Sequence, residues 1–523
     1  MNPDSLDTRP DFTSDLSKNW HLVTVIGIAL VLSMCLGIRG IYPTWGDETF
    51  TIRIASGSWD DFVREIKMDV HPPLYFALCF MVSMGAKDIF QSMEYTRGVS
   101  YVIFCLTMWL CYTLLKSRVR SMEELLFPML LIVSSAHLAL FGPMLRYYSL
   151  ATLGAICATL LLLPETGYKP SIDRKPLFSA HVWYAVALLT AFASSYLTAV
   201  IIPAHLVYLL KRSRDKAKPF LISLGFAIFI SLPLLLLSFS QIKMHQEFFN
   251  TPNLLGLIIG IIARMIFSLY SFAIGESFRP WDWFYTIPAF IALLLIVFPF
   301  RQSSEKNPTG LMITTLLISL PLGAITLSLT GVGIEFSASR LMFLAPMMLI
   351  PLGMSAADVP GKKSGNSARK IALLFLVGIN LLSTFFYATQ NSAIQSTYII
   401  PWEKISEKVY ENVEDNTLVL YDDDTLAYWI YWSKPDKMIN INTLDDLSVT
   451  DGFNRVIIVY SPRDITSSGI LGEVLERLDA NYRWAENWNY LIEDEQSIRF
   501  KSILLRRSIE PIKKVLRIYD SAG

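Results

Sequence analysis

Two adjacent acids, Asp47 and Glu48, stand in "YPTWGDETF", directly after the first long apolar run, and "HPPLYF" begins at His71. An acid at a membrane-edge cavity can take a proton from an attacking hydroxyl or amine. An acid pair there is costly unless it is hydrated, paired or functional. The bland readings are a solvated loop acid or a helix N-cap, because Asp47 precedes "ETFTIRIA", which could open a helix. His71 precedes a proline, which pushes it out of the α region, and Pro73 suits the first turn of a helix. The imidazole is then held at the mouth of a helix over 74–86. There it could meet a phosphate or a sugar hydroxyl, or be incidental to a rigid helix start.

Cations form the next set. Arg97 lies in "EYTRGVS", Arg146 lies in "FGPMLRYYSL" with Tyr148 beside it, and Arg340 lies in "EFSASRLMFLAP". Arginines at the hydrocarbon edge can clamp a lipid phosphate with bidentate geometry; taken singly, each can also be snorkelling to the headgroups. In "YDDDT", Asp422 to Asp424 could bind a divalent cation, but they follow a strand and read as a polar turn. Trp402, Trp429, Trp432, Trp484 and Trp488 could stack on sugars, or form the core of a small domain.

The elements that position these residues are membrane elements. Of 523 residues, 53% are hydrophobic and 17% charged, against about 25% charged in soluble domains, and mean hydropathy is +0.42. Apolar runs near 20 residues recur, so the chain reads as a polytopic α-helical membrane protein. The net charge of +0 gives no case for nucleic acid. The five cysteines, at 35, 79, 105, 111 and 157, sit in apolar stretches and read as small core residues.

About eleven crossings are expected, at 20–38, 98–115, 124–142, 147–163, 181–195, 197–210, 219–239, 284–300, 310–329, 341–357 and 371–389. Basic residues cluster in the loops on one side, most strongly at Lys211, Arg212, Arg214, Lys216 and Lys218. That side is expected to be cytoplasmic, with a cytoplasmic tail over 1–19 and an uncleaved first helix. The loop 39–97 and a small α/β domain over 390–523 then lie outside. Residues 74–86 and 254–275 are expected to lie on or dip into the outer leaflet. The stretch "GSWDDFVREI" is expected to be an amphipathic surface helix.

Taken together, the Asp-Glu pair of the first outer loop, "HPPLYF", "EYTRGVS" and "RYYSLATL" resemble the GT-C superfamily of membrane glycosyltransferases. The resemblance is to the bacterial branch related to protein O-mannosyltransferases and to the aminoarabinose transferases acting on lipid A. It covers residues 20–210, and "SRLMFLAPMMLIPLG" resembles a late segment of that family. It implies a GT-C-like transmembrane domain over 20–389, a polyprenyl-phosphate sugar donor, and chemistry on the extracytoplasmic face of the inner membrane. It implies Asp47 as general base, Glu48 as a supporting acid, and His71 as the histidine of the His-Pro-Pro motif. Where some relatives carry a second acid in the next outer loop, this chain has Arg146. A divalent cation, if used, is left with Asp47 and Glu48; no other cofactor is expected.

The residues fit this chemistry on their own terms. No pool of nucleotide sugars exists outside the cytoplasm, and no P-loop or dinucleotide fingerprint occurs. An activated sugar must arrive on a lipid, with Arg146 and Arg340 available for its phosphate and Asp47 for the acceptor. One base and no evident nucleophile point to inversion, and positioning and charge can carry most of the catalysis. The acceptor is open between protein, lipid and glycan. The rivals are a transporter or flippase for lipid-linked sugars and a polysaccharide polymerase or ligase. A transporter is expected to show repeated halves and ionisable residues in mid-helix. A polymerase or ligase is expected to carry its arginines in a large outer loop. Neither pattern is seen here.

Overall fold

The computed structural model describes residues 46–521 except 88, 117–118, 120–121, 164–178, 212–213, 245–253, 298–307, 334–335, 358–365, 390–399, 401, 423–425, 427–436, 445–451, 463–468, 492–497, 500–501 and 503–512. The expected tail 1–19, the first span 20–38 and most of the basic-loop residues lie outside the described residues. The chain divides into two compact units, Met1–Arg39 with Thr51–Phe385 and Gly40–Phe50 with Phe386–Gly523. The assignment of Gly40–Phe50, which carries Asp47 and Glu48, to the second unit was not legible in the sequence.

The first unit is helical. Among the described residues, four of its helices have the length and apolar character of a membrane span: Gln91–Lys116, Leu254–Ile274, Thr309–Leu329 and Ser367–Ala388. Ala217–Ile230 and Leu232–Gln241, bent by 47° at Ser231, reach that length and apolar character only as a pair, the pattern of a broken span or a re-entrant loop. These spans do not establish the expected count of eleven, whose first member, 20–38, lies outside the described residues. Six further apolar helices, Leu74–Ser83, Tyr148–Leu162, Ala180–Ser194, Tyr196–Leu210, Trp283–Ile296 and Met342–Ala356, have 10–17 residues. At 1.5 Å per residue they reach roughly 15–25 Å, short of the ~30 Å hydrocarbon layer. Single-residue breaks, invisible to a hydropathy window, are one reason. Ser195 is extended (φ −151°, ψ 119°) and separates Ala180–Ser194 from Tyr196–Leu210. Ser135 likewise divides Met122–Ser134 from Ala136–Phe141 and caps the second with its side chain. The helix expected to begin at 98 starts at Ile89.

Polar contacts sort the helix ends. Lys370 Nζ pairs with Glu123 Oε1 at 2.8 Å, Arg369 donates to the carbonyl of Ser355, and Ser355 Oγ reaches the carbonyl of Ile296. These mark one end of the bundle; His71, Arg146 and Arg340 mark the other. Arg264 bonds the carbonyl of Val332, just past Pro308–Leu329, and the Ala273 carbonyl accepts from Asn380, in the later half of Asn366–Ala388. Residues 254–275 are expected from the sequence to lie on or dip into the outer leaflet, but Leu254–Ile274 has the length and apolar character to cross. The four described cysteines are free thiols, three of them buried.

The second unit holds a five-stranded sheet. Its strands are β1 (Thr417–Tyr421), β2 (Lys437–Asn440), β3 (Arg455–Tyr460), β4 (Tyr482–Leu491) and β5 (Lys513–Ser521), in the order β2-β1-β3-β5-β4. β1 pairs parallel with β2 and β3, whereas β5 runs antiparallel to β3 and β4. The runs "TLVLY" and "RVIIVY" are apolar throughout because both faces are covered. On one face Gly469–Asn481 packs Leu471, Val474 and Leu478 onto Leu418, Ile458 and Tyr519. On the other, Trp402–Asn412 packs Trp402, Ile405 and Val409 onto Val419, Ile457 and Ile518.

Candidate functional site

The site begins with a short amphipathic helix. Ser58 and Asp61 form a reciprocal capping box, and Phe62 and Ile66 bury the inner face of Trp59–Met68. The helix stops at Asp69, whose backbone is extended (φ −80°, ψ 166°). In an extended segment, residues i and i+2 point the same way. The Asp69 carboxylate and the His71 ring therefore meet, with Nδ1 at 3.0 Å from Oδ1 and 3.1 Å from Oδ2. Pro72 and Pro73 then lead into Leu74–Ser83. Gln241 Nε2 fixes the loop from outside, donating to the carbonyls of Ile66 at 2.8 Å and His71 at 3.4 Å.

Two arginines converge on this imidazole. Arg340 ends the single-turn helix Ser337–Arg340, and its Nη1 lies 3.4 Å from His71 Nε2, although 269 residues separate them. Arg146 lies in the turn between Ala136–Phe141 and Tyr148–Leu162 and is 2% exposed. Its guanidinium carbon lies 5.5 Å from the Tyr147 ring centre and 6.0 Å from that of Phe76. The Tyr147 ring packs on His71 at 4.7 Å. Gly142 lets this turn close: a Cβ there would collide with the Phe104 ring and the Leu138 carbonyl.

The charges set the protonation. Burial depresses the basicity of His71, Asp69 opposes this, and Arg146 and Arg340 add to it. For Asp69, burial works against ionisation, but His71 and Arg146 outweigh it and hold the carboxyl below its ordinary range. The arrangement that satisfies every partner is an ionised Asp69 and a neutral His71. Nδ1–H donates to the carboxylate, and Nε2 accepts from Arg340. Two guanidinium groups beside an imidazole, buried at one end of an apolar bundle, make an anion site, and Arg pairs favour phosphate geometry.

The structure thus brings together His71, Arg146 and Arg340. It adds Asp69 and Tyr147, which sequence reasoning did not single out. The readable signal for Asp69 was the spacing "DVH" before two prolines. Tyr148 stands behind Tyr147, its ring 4.9 Å away and 3% exposed. Arg97 is half-exposed in Ile89–Lys116 and is not among the cations acting on His71. Asp47 and Glu48 lie in the first turn of Gly46–Ser56, Asp47 partly exposed and Glu48 buried; both belong to the second unit. Among the described residues no group of three or more His, Cys, Asp or Glu could hold a metal ion.

No protein-family model matches this chain, and no curated protein matches it. Solved structures do. The crystal structure of ArnT from Cupriavidus metallidurans bound to undecaprenyl phosphate covers 95% of this chain and 98% of its own, with a TM-score of 0.51 at 10% identity. ArnT in the apo state covers 96% of this chain and 98% of its own, with a TM-score of 0.49 at 11% identity. At this identity the likeness is one of fold: the chain has the fold of ArnT.

Proposed function

We propose that this chain is an integral, multi-pass inner-membrane glycosyltransferase. It moves a hexose or pentose from a polyprenyl-phosphate donor to an acceptor on the extracytoplasmic face, with inversion. One observation carries the reading: the buried meeting of Arg146, Arg340 and His71 from three separate elements at one end of an apolar helical bundle of the ArnT fold. A lipid-linked phosphate must present its charge at the edge of the hydrocarbon layer, and this is the chemistry suited to hold it there.

In this reading the two guanidiniums bind the donor phosphate and stabilise the charge that develops as it leaves. Asp47 takes the acceptor proton, a role the sequence resemblance implies, with Glu48 as its neighbouring acid. If a divalent cation takes part, these two carboxylates would hold it, and it would supply positive charge. The acceptor is a protein, a lipid or a glycan.

The test uses purified full-length protein in detergent with radiolabelled polyprenyl-phosphate sugars, following release of label from the lipid with and without chelator. Wild-type protein should release label from one donor. Asp47→Asn should lose about 10²–10⁴ in turnover, the usual weight of general-base catalysis, while still binding donor. Undiminished turnover in Asp47→Asn removes that residue from the mechanism. Absence of donor binding by folded wild type overturns the glycosyltransferase reading.

A further inference from the structure

The proposed transfer changes the charge of the phosphate. The acceptor O–H bond and the bond between the anomeric carbon and the phosphate oxygen break, and a new C–O bond forms. The acceptor proton leaves with the base. The electron pair of the broken C–O bond stays on the phosphate, which goes from a singly charged diester to a doubly charged monoester. The pocket must therefore hold one more negative charge after the chemistry than before.

Arginine cannot answer that change, because a guanidinium keeps its proton at any ordinary pH. Among the described residues, the groups facing His71 are Asp69 on its own segment, Arg146 with the Tyr147 ring from the 142–147 turn, and Arg340 from Ser337–Arg340. Gln241 reaches only its backbone, and Asp69 acts on Tyr196. His71 is the one member of this set that changes charge near neutral pH. Its Nδ1 is already held by a carboxylate at 3.0 Å, and its Nε2 points to the guanidinium of Arg340. The Asp69 contact prepares the imidazole to become a cation, while the two guanidiniums hold it neutral until an added negative charge offsets them.

Resting on the phosphate reading above, we infer that the Asp69–His71 pair takes up one proton from water as the diester becomes a monoester. His71 is neutral opposite the donor and an imidazolium opposite the released lipid phosphate. Its Nε2–H then donates to the phosphate, and Asp69 is the positioning residue that keeps Nδ1–H directed away from it and balances the new positive charge. Departure of the lipid phosphate returns the proton to water and resets the site.

Linkage gives the sign. If binding of the dianion takes up a proton, affinity falls as pH rises above the depressed value of free His71. A phosphomonoester is itself essentially dianionic above about pH 7, its second pKa being about 6. The dissociation constant of a polyprenyl phosphate should therefore weaken by about tenfold per pH unit above pH 7. Its methyl diester should show no such slope.

The experiment measures both dissociation constants from pH 6.5 to 8.5 in neutral detergent, for wild type, Asp69→Asn, His71→Gln and Arg340→Ala. Each variant's fold is checked by circular dichroism and gel filtration. Proton uptake is counted by calorimetry in two buffers of different ionisation enthalpy. Support is a slope for the monoester alone, with about one proton taken up by wild type, both lost in Asp69→Asn and His71→Gln. A flat wild-type profile overturns the inference, as does an equal slope in either variant. Monoester binding that ignores Arg340→Ala instead overturns the phosphate reading, and this inference with it. Asp69→Gly, which removes the carboxylate without offering an amide, serves if Asp69→Asn fails to fold.

Discussion

Arg340 and Arg146 reach one imidazole from opposite ends of the sequence, and their geometries set different tests. Arg340 is half-buried and lies against His71 Nε2, whereas Arg146 is 2% exposed among the Tyr147 and Phe76 rings. A charge-assisted hydrogen bond contributes about 1.5–3 kcal/mol, so Arg340→Ala should raise the apparent KM for the lipid donor by roughly tenfold to a hundredfold. Arg146→Lys keeps the charge but loses the planar fork and its stacking, and should raise the KM by a smaller factor. Steady-state kinetics against donor concentration checks both; an effect on protein yield alone would favour arginines that serve only the fold. At this scale the sequence revealed residue types and not meetings. "HPP" and the arginines were visible because proline restricts its neighbour and because cations at an apolar edge are conspicuous. The approach of Arg340 to His71 is a product of tertiary folding, and no local pattern encodes it. The choice of Tyr147 over Tyr148 as the ring on His71 was equally hidden, since the two tyrosines differ only by one helical step.

Among the elements, the arginine-bearing turns depend on polar locks inside an apolar bundle. Asn380 Oδ1 accepts the backbone N–H of Ala136, an orphan donor at the start of Ala136–Phe141, and its Nδ2 donates to the carbonyls of Ala273 and Leu376. One side chain thus ties three helices together, ten residues before Arg146. Asn380→Ala leaves that donor and the Ala273 carbonyl without this partner. The cost should be about 1–3 kcal/mol, read as a lower melting temperature in detergent, together with weaker donor binding. Gly353 makes a different prediction. A Cβ at this position would strike the backbone of Pro128, so Met122–Ser134 and Ala345–Ala356 cross in contact there. Gly353→Ala should destabilise the bundle by forcing the two helices apart, with a cost of about 1–3 kcal/mol as for overpacking, whereas Gly225→Ala, in open space, should not. Hydropathy located most of these helices but not their lengths. A hydropathy window averages over some 19 residues, and it passes over the breaks at Ser135, Ser195 and Ser231 that turn long apolar runs into bent or short helices.

Across the whole molecule, the chain carries two kinds of stability that can be probed apart. The first unit is an apolar bundle; the second is a sheet with its own cores on both faces. The sequence showed β1, β3 and the Gly469–Asn481 helix, because those segments are uniformly apolar or amphipathic. It did not show β4 or β5, where "YRWAENWNYL" mixes aromatic and polar residues on an edge strand. Asp422, weighed in the sequence as a cation ligand or a polar turn, is a structural residue here. It accepts Lys514 Nζ at 2.9 Å and the Ser461 N–H at 2.5 Å. The pair's side chains are each 5% exposed, and the ammonium lies over the Trp402 ring. Removing one partner of a buried pair costs about 3–5 kcal/mol, because the other charge stays buried. In a domain of this size that corresponds to a fall of roughly 10 °C or more. Asp422→Asn should therefore lower the melting transition of the second unit, followed by calorimetry or by proteolysis of its loops. Below that transition the affinity for a polyprenyl phosphate should stay within twofold of wild type, because His71, Arg146 and Arg340 all belong to the first unit. A single shared transition, or loss of phosphate affinity in step with the sheet, would mean that the two units fold as one and that the anion site draws on both.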